Sequence, residues 1–392
     1  MYNPHLALSL SFGAALQRLP CATVMTTSLL LVWALVLAGC GSAPTIRSMP
    51  ASSSSSDASG SREPAQASAL SVTLQKLANE AKSVEPLATS ELGKRFLNAT
   101  SSLPAIEPRT VFQNPQTREY FSPAETVALT DAVRSKLVKT DLDEYRYYYT
   151  KYGSPLAYLR PLDIASANGL SDIAGKRILD YGYGSIGHLR LMASLGAHMT
   201  GIDPDSYLDA LYSDARDQGE IPAAGRKLWR GRPGTITLVH SAYPKDAKAI
   251  EKVGQGYDLI LSKNTLKRGY LKPERKADKR QLIELGVSDE VFLKTLFAAL
   301  NPGGKLLIYN LYPKAAASNE AYKPFADGRS PFNRAQYEKA GFQVLALDRE
   351  DHIAARLMGR ALKWDQNDKG ETIDDLDTNL FAMFTLVGKP LR

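Results

Sequence analysis

Residues 177–205 read RILDYGYGSIGHLRLMASLGAHMTGIDPD, and the rest of the chain is interpreted outward from them. Ile178 and Leu179 open an apolar run that meets a turn containing Gly182, Gly184 and Gly187. Leu189, Leu191, Met192 and Leu195 then recur at helical spacing until Gly196 stops the helix. A second apolar run, His198 to Ile202, ends on Asp203, 21 residues after Gly182. Strand, glycine turn, helix and strand ending on an acid form one βαβ unit of the kind that holds a nucleoside-bearing ligand.

Glycine spacing alone would suit a dinucleotide, so Asp180 decides. Two positions before Gly182, its carboxylate would face a pyrophosphate across a short gap and repel it. A carboxylate favours a cation, and the ligand that joins an adenosine to a zwitterionic amino-acid tail without phosphate is S-adenosylmethionine. With Asp180, Gly182 and Gly184 in place, the stretch resembles the class I (Rossmann-like) methyltransferases, whose first motif is acid, any, Gly, any, Gly, any, Gly. The third glycine of that pattern falls on Ile186, and Gly187 stands one place late.

Later segments extend the resemblance. Thr235 to His240 is a third strand, Tyr257-Asp-Leu-Ile-Leu-Ser-Lys-Asn264 a fourth, and Asn301-Pro-Gly-Gly304 stops a helix before a fifth. Ala340 to Leu347 is the sixth, and Leu380 to Gly388 the last, antiparallel and inserted between fifth and sixth, as the family has it. The expected fold is therefore α/β, a doubly wound, mostly parallel seven-stranded sheet with its last strand antiparallel, preceded by a helical segment. The methyltransferase domain is expected over 169–392 and the helical region over 70–168.

In that helical region, Ser122-Pro-Ala-Glu125 spells a capping box, Asp143 to Tyr152 holds five tyrosines, and Ser154-Pro155 caps a further helix. Helices before the first strand often cover the cofactor in the resembled family, so Lys151 or Tyr152 lines the site, unless the tyrosines are core.

The resemblance implies a cofactor set of Asp180, Gly182, Gly184, Asp203, Pro204, Ser241 and Ser262. Asp203 accepts from both ribose hydroxyls, Pro204 flanks the adenine, and Ser241 (or His240) stands where the family usually reaches the adenine amino group. Lys263, Asn264, Lys267 and Tyr309 are the candidates at the mouth for catalysis, with no general base singled out. The segment Lys263 to Arg280 carries eight Lys or Arg against Glu274 and Asp278, a charge density suited to an anionic acceptor or surface, or to an ordinary solvated loop. Arg329, in a loop after the fifth strand, is a further anion contact.

Composition narrows the remaining classes. Hydrophobic residues at 44% of 392 suffice for a core, and a net charge of +7 is too small at this length to call for nucleic acid. The two cysteines, Cys21 and Cys40, precede the domain, and five scattered histidines show no ligand spacing, so neither a disulfide framework nor a metal is expected. Ser28 to Gly39 is an apolar run too short for a comfortable span. It ends in Leu37-Ala38-Gly39-Cys40, which resembles the bacterial lipobox. A signal peptide over 1–39, lipidation of Cys40 and a serine-rich tether over 40–69 follow, with an extracytoplasmic, membrane-anchored location; a start at Met49 would instead leave a cytoplasmic protein. The activity expected is methyl transfer from S-adenosylmethionine to a small or anionic acceptor, the alternative a lipid-anchored binding protein that retains the nucleoside pocket without catalysis.

Overall fold

The computed structural model describes residues 70–224, 233–367 and 369–391. The expected signal peptide, tether and Cys40 lie outside the described residues. Eight strands form the main sheet in the order β10-β11-β9-β8-β4-β5-β7-β6. These are β4 (Arg177–Tyr181), β5 (His198–Ile202), β6 (Gly219–Ile221), β7 (Gly234–Val239), β8 (Tyr257–Lys263), β9 (Leu300–Tyr312), β10 (Gln343–Glu350) and β11 (Phe381–Gly388). The strands β7, β5, β4, β8 and β9 run parallel, while β11 is antiparallel to both β9 and β10 and sits between them. The α/β fold is thus the expected one, with one strand more than the seven anticipated. The addition is β6, three residues paired antiparallel to β7 on the sheet edge.

Alternation along the strands divides the core into two layers. Ile178, Leu259, Leu261, Leu307, Tyr309 and Leu311 face one layer, and Leu179, Ile260, Leu306 and Ile308 the other. The first layer is filled largely by the amino-terminal region. Leu74, Leu77, Ala81 and Val84 of the helix Val72–Val84 share one buried stripe, joined by Leu92, Phe96 and Leu97 of the helix Glu91–Asn98. Ser71 and Ser90 cap these helices by accepting from the backbone amides of Leu74 and Gly93. On the second layer lie the helices Ala247–Val253, Asp289–Ala299 and Arg334–Lys339.

The region before β4 is not wholly helical. Between its helices a small antiparallel sheet forms in the order β2-β1-β3, from β1 (Arg109–Gln113), β2 (Tyr120–Phe121) and β3 (Val138–Leu142). The capping box at Ser122 and Glu125 is present, but it opens a helix of only five residues, Pro123–Val127. Among the described residues no helix is long and apolar enough to cross a membrane.

Candidate functional site

Strand order reverses on either side of β4, whose neighbours are β5 and β8. The crevice outside the carboxyl ends of these three strands is where an open parallel sheet places its ligand. The sheet brings Asp180, Gly182, Gly184, Asp203, Ser262 and Lys263 to that end. Gly182 (φ +79°) and Gly184 (φ +60°) adopt the left-handed backbone that the turn requires.

Asp180 is fully buried and belongs to a network of internal hydrogen bonds. Its Oδ2 accepts from the Tyr158 hydroxyl (2.8 Å) and from His188 Nε2 (2.6 Å), while its Oδ1 and His188 Nδ1 are buried without a partner. The Tyr158 and His188 rings stack at 3.5 Å with 6° between their planes. Burial lowers the His188 pKa against the pull of Asp180, so the imidazole is neutral near pH 7 and donates through Nε2. Lys263, the last residue of β8, holds its ammonium 5.4 Å from the Tyr158 ring centroid. Burial, opposed by Asp180, brings Lys263 down to about 8.

Asp203 lies at the end of β5, partly buried. Its Oδ1 accepts from the Asp205 amide (3.0 Å), and its Oδ2 has no partner among the described residues. Burial, and then the Asp205 carboxylate, push Asp203 up to about 7, opposed by the Asp205 amide, Lys151 and His240. Asp205 caps the helix Ser206–Leu211 through the Tyr207 amide and pairs with Lys151 Nζ at 2.9 Å. Pro204 is partly buried between the two acids. His240 accepts from the Tyr183 hydroxyl at Nε2 (2.8 Å) and lies 2.6 Å from Asp209 through Nδ1. Ser241 donates to Asp246, at the start of the helix Ala247–Val253. Ser262 is buried and accepts from the Leu266 amide.

The glycine turn is covered from two directions. A Cβ at Gly182 would fall 2.1 Å from Thr265 Oγ1, and one at Gly184 would fall 2.9 Å from the Tyr152 ring. What requires glycine here is therefore the close approach of the chain's own side chains. The donor set suits S-adenosylmethionine in kind: Asp203 Oδ2 for a ribose diol, and the carbonyls of Gly182 and Lys263, which converge on Thr265 Oγ1 at 3.4 and 3.5 Å, for an ammonium. The space beside them is filled by Thr265 and Tyr152.

Three of the four mouth candidates are engaged in holding the fold. Lys267 is buried and donates to the carbonyls of Leu311 (2.5 Å) and Phe325 (3.3 Å), with burial and then Lys263 lowering it to about 7. Asn264 (φ +65°) accepts from the Leu311 amide at 2.7 Å. The Tyr309 hydroxyl donates to Asp351, which Arg160 grips with two bonds of 2.8 Å. Lys263 is the one of the four whose side chain makes no hydrogen bond within the described residues.

Three of the eight basic side chains of the segment, Arg268, Lys272 and Arg280, pair with acids within the described residues. Arg268 and Arg329 share Glu274 and Asp327, Lys272 meets Asp289, and Arg280 meets Asp278. Arg275 spends its guanidinium on the carbonyls of Ala316, Ala317, Ser318 and Glu320. These bonds tie the segment after β8 to the one after β9. No group of His, Cys, Asp and Glu able to hold a metal ion occurs among the described residues.

Tyr158, His188 and Thr265 were not singled out in the sequence. His188 occupies a helical position between apolar neighbours, and nothing in its spacing shows that it faces Asp180.

No family model matches the chain, and no curated protein matches it. Solved structures do resemble it. Several are methyltransferases. The phosphoethanolamine N-methyltransferase 2 of Haemonchus contortus, with S-adenosylhomocysteine bound, is 15% identical with a TM-score of 0.36, covering 77% of this chain and 76% of its own. An S-adenosylmethionine-dependent methyltransferase from Mesorhizobium loti is 14% identical with a TM-score of 0.34, over 59% of this chain and 98% of its own. The cyclase SpnF, at 15% and 0.34, covers 82% and 97%. At such values the likeness carries no argument, and the reading of the site rests on its own geometry.

Proposed function

We propose that the chain is an S-adenosylmethionine-dependent methyltransferase acting on a small or anionic acceptor. The observation that carries this reading is Asp203: a carboxylate at the end of the second parallel strand, beside a glycine turn, with Oδ2 unengaged among the described residues. A ribose diol offers two donors to such an oxygen pair, and phosphates would be repelled by the acids gathered there. Asp203 would hold the sugar, Pro204 would flank the base, and the carbonyls of Gly182 and Lys263 would take the ammonium. When bound, the cofactor supplies an activated methyl group; the protein contributes alignment.

The alternative, a binding domain without catalysis, is favoured by the filled space over Gly182 and Gly184 and by Asp180, buried and bonded to Tyr158 and His188. Calorimetric titration of the full-length chain with S-adenosylmethionine and with NAD tests the ligand. Binding of the first and not the second is expected, with Asp203→Ala weakening it at least tenfold, about 1.4 kcal/mol. Unchanged affinity in that variant would remove the ribose assignment. Release of S-adenosylhomocysteine in the presence of cell extract separates the enzyme from the binding domain.

A lipid anchor at Cys40 is a separate proposal, supported by the order of apolar run, cysteine and serine-rich spacer. Labelling with a palmitate analogue tests it, since Cys40→Ser should abolish incorporation. An anchored, extracytoplasmic enzyme would need its cofactor delivered there, whereas a start at Met49 would keep the domain in the cytoplasm.

A further inference from the structure

Four consecutive residues, Thr150 to Gly153, lie as a strap across the glycine turn. Thr150 Oγ1 donates to the Gly184 carbonyl at 3.0 Å, Lys151 pairs with Asp205 at 2.9 Å, and the Tyr152 ring packs on Gly184 with its hydroxyl 3.4 Å from Asp205 Oδ2. Thr265 approaches from the other side, its hydroxyl between the carbonyls of Gly182 and Lys263.

The hydrogen bonds of these two plugs are long. The contacts of the Tyr152 and Thr265 hydroxyls run from 3.4 to 3.5 Å, well beyond the 2.7–2.9 Å of a charge-assisted bond. Both residues also belong to turns rather than to helices or strands. Thr150 (φ +48°) and Gly153 (φ +84°) flank Tyr152 with left-handed backbone, and Asn264 (φ +65°) precedes Thr265. Either side chain can leave without dismantling a hydrogen-bonded element. An ammonium placed between the two carbonyls would bond them more strongly than the threonine hydroxyl does, because it carries a full charge and more donors.

We infer that Tyr152 and Thr265 are a stopper which occupies the ligand's place in the free protein, and that the ligand binds by displacing them. The inference rests on the reading of this crevice as the S-adenosylmethionine site. Its consequence is that apparent affinity is reduced by the fraction of molecules that are closed. Ligand binding must also release the strap, leaving its backbone less protected than in the free protein.

The test is calorimetric titration of S-adenosylmethionine into the full-length chain and its Tyr152→Ala and Thr265→Ala variants, with amide hydrogen exchange followed over residues 149–153. Each variant is expected to bind about tenfold more tightly, and saturating ligand to speed exchange in the strap of the unmodified chain. Equal or weaker binding by both variants would overturn the stopper while leaving the cofactor assignment intact. Absence of binding by all three proteins would overturn the assignment and the stopper with it. Should Tyr152→Ala fail to fold, Thr265→Ala decides the matter, since it deletes only a hydroxyl and a methyl group from a turn.

Discussion

Two aspartates, Asp180 and Asp217, are both sealed from solvent, and each accepts through one oxygen while the other has no partner. Around Asp217 the donors are the Tyr147 hydroxyl (2.7 Å), Arg109 (3.0 Å) and Arg190 (3.4 Å), so two guanidinium groups neutralise it. The three donors come from Glu144–Tyr149, β1 and the helix Gly187–Ser194, and the carboxylate fastens the amino-terminal region to the main-sheet domain. Around Asp180 the donors are a phenol and a neutral imidazole, and the nearby cation, Lys263, is not bonded to it. Equal burial therefore conceals unlike roles. Asp217 is a tie with its charge matched, whereas Asp180 is a carboxylate left short of positive charge beside a crevice.

The largest effect should come from Asp217→Ala. It leaves Arg190 buried without a counter-ion and Arg109 with Asp214 alone, a loss of about 3–5 kcal/mol in denaturant unfolding. Asp180→Asn should cost less, about 1–3 kcal/mol, because Lys263 is not bonded to the carboxylate and an amide oxygen still accepts from Tyr158. A loss as large as that of Asp217→Ala would erase the distinction between the two sites.

A third acid, Asp203, responds to pH. Its folded pKa, near 7, lies above the 3.8 of the free residue, so folding favours its protonated form. That contribution is fully present below pH 3.8 and is lost as pH rises through 7. Asp203→Asn should accordingly match the unmodified chain near pH 4 and exceed it above pH 7, by about 1–2 kcal/mol once solvent screening of this partly exposed group is discounted. Melting temperatures measured from pH 4 to 8 check the sign, and parallel curves would show that Asp203 titrates normally. The smallest effect, about 1 kcal/mol, is expected for Ser122→Ala, which removes a cap remote from both acids. It serves as the baseline for the other three.

The parallel strands were legible because each is an apolar run bounded by glycine, and Pro302-Gly-Gly304 marks the reversal into β9. The small sheet was not. Four of the five residues of β3 are exposed, so Val138 to Leu142 shows no buried face from which a strand could be read. The glycine turn announced its conformation but not its neighbours. Thr265 stands 83 residues from Gly182 and Tyr152 32 from Gly184, and only the folded sheet brings them together. The same holds for the basic segment: Arg329 and Glu274 meet across 55 residues, and no local count of charge discloses that they cancel.

The position of β11 constrains how the chain acquires its fold on the ribosome. Phe381 to Gly388 is translated after β9 and β10, yet it is the strand that joins them, pairing with β9 along its whole length. Until it emerges, β9 and β10 each present an unpaired edge, the kind of surface on which nascent chains aggregate. A product terminated before Phe381 would keep the crevice residues and the amino-terminal tie but lose the strand that seals the sheet. Premature stop codons there should yield insoluble protein rather than a shortened, folded domain.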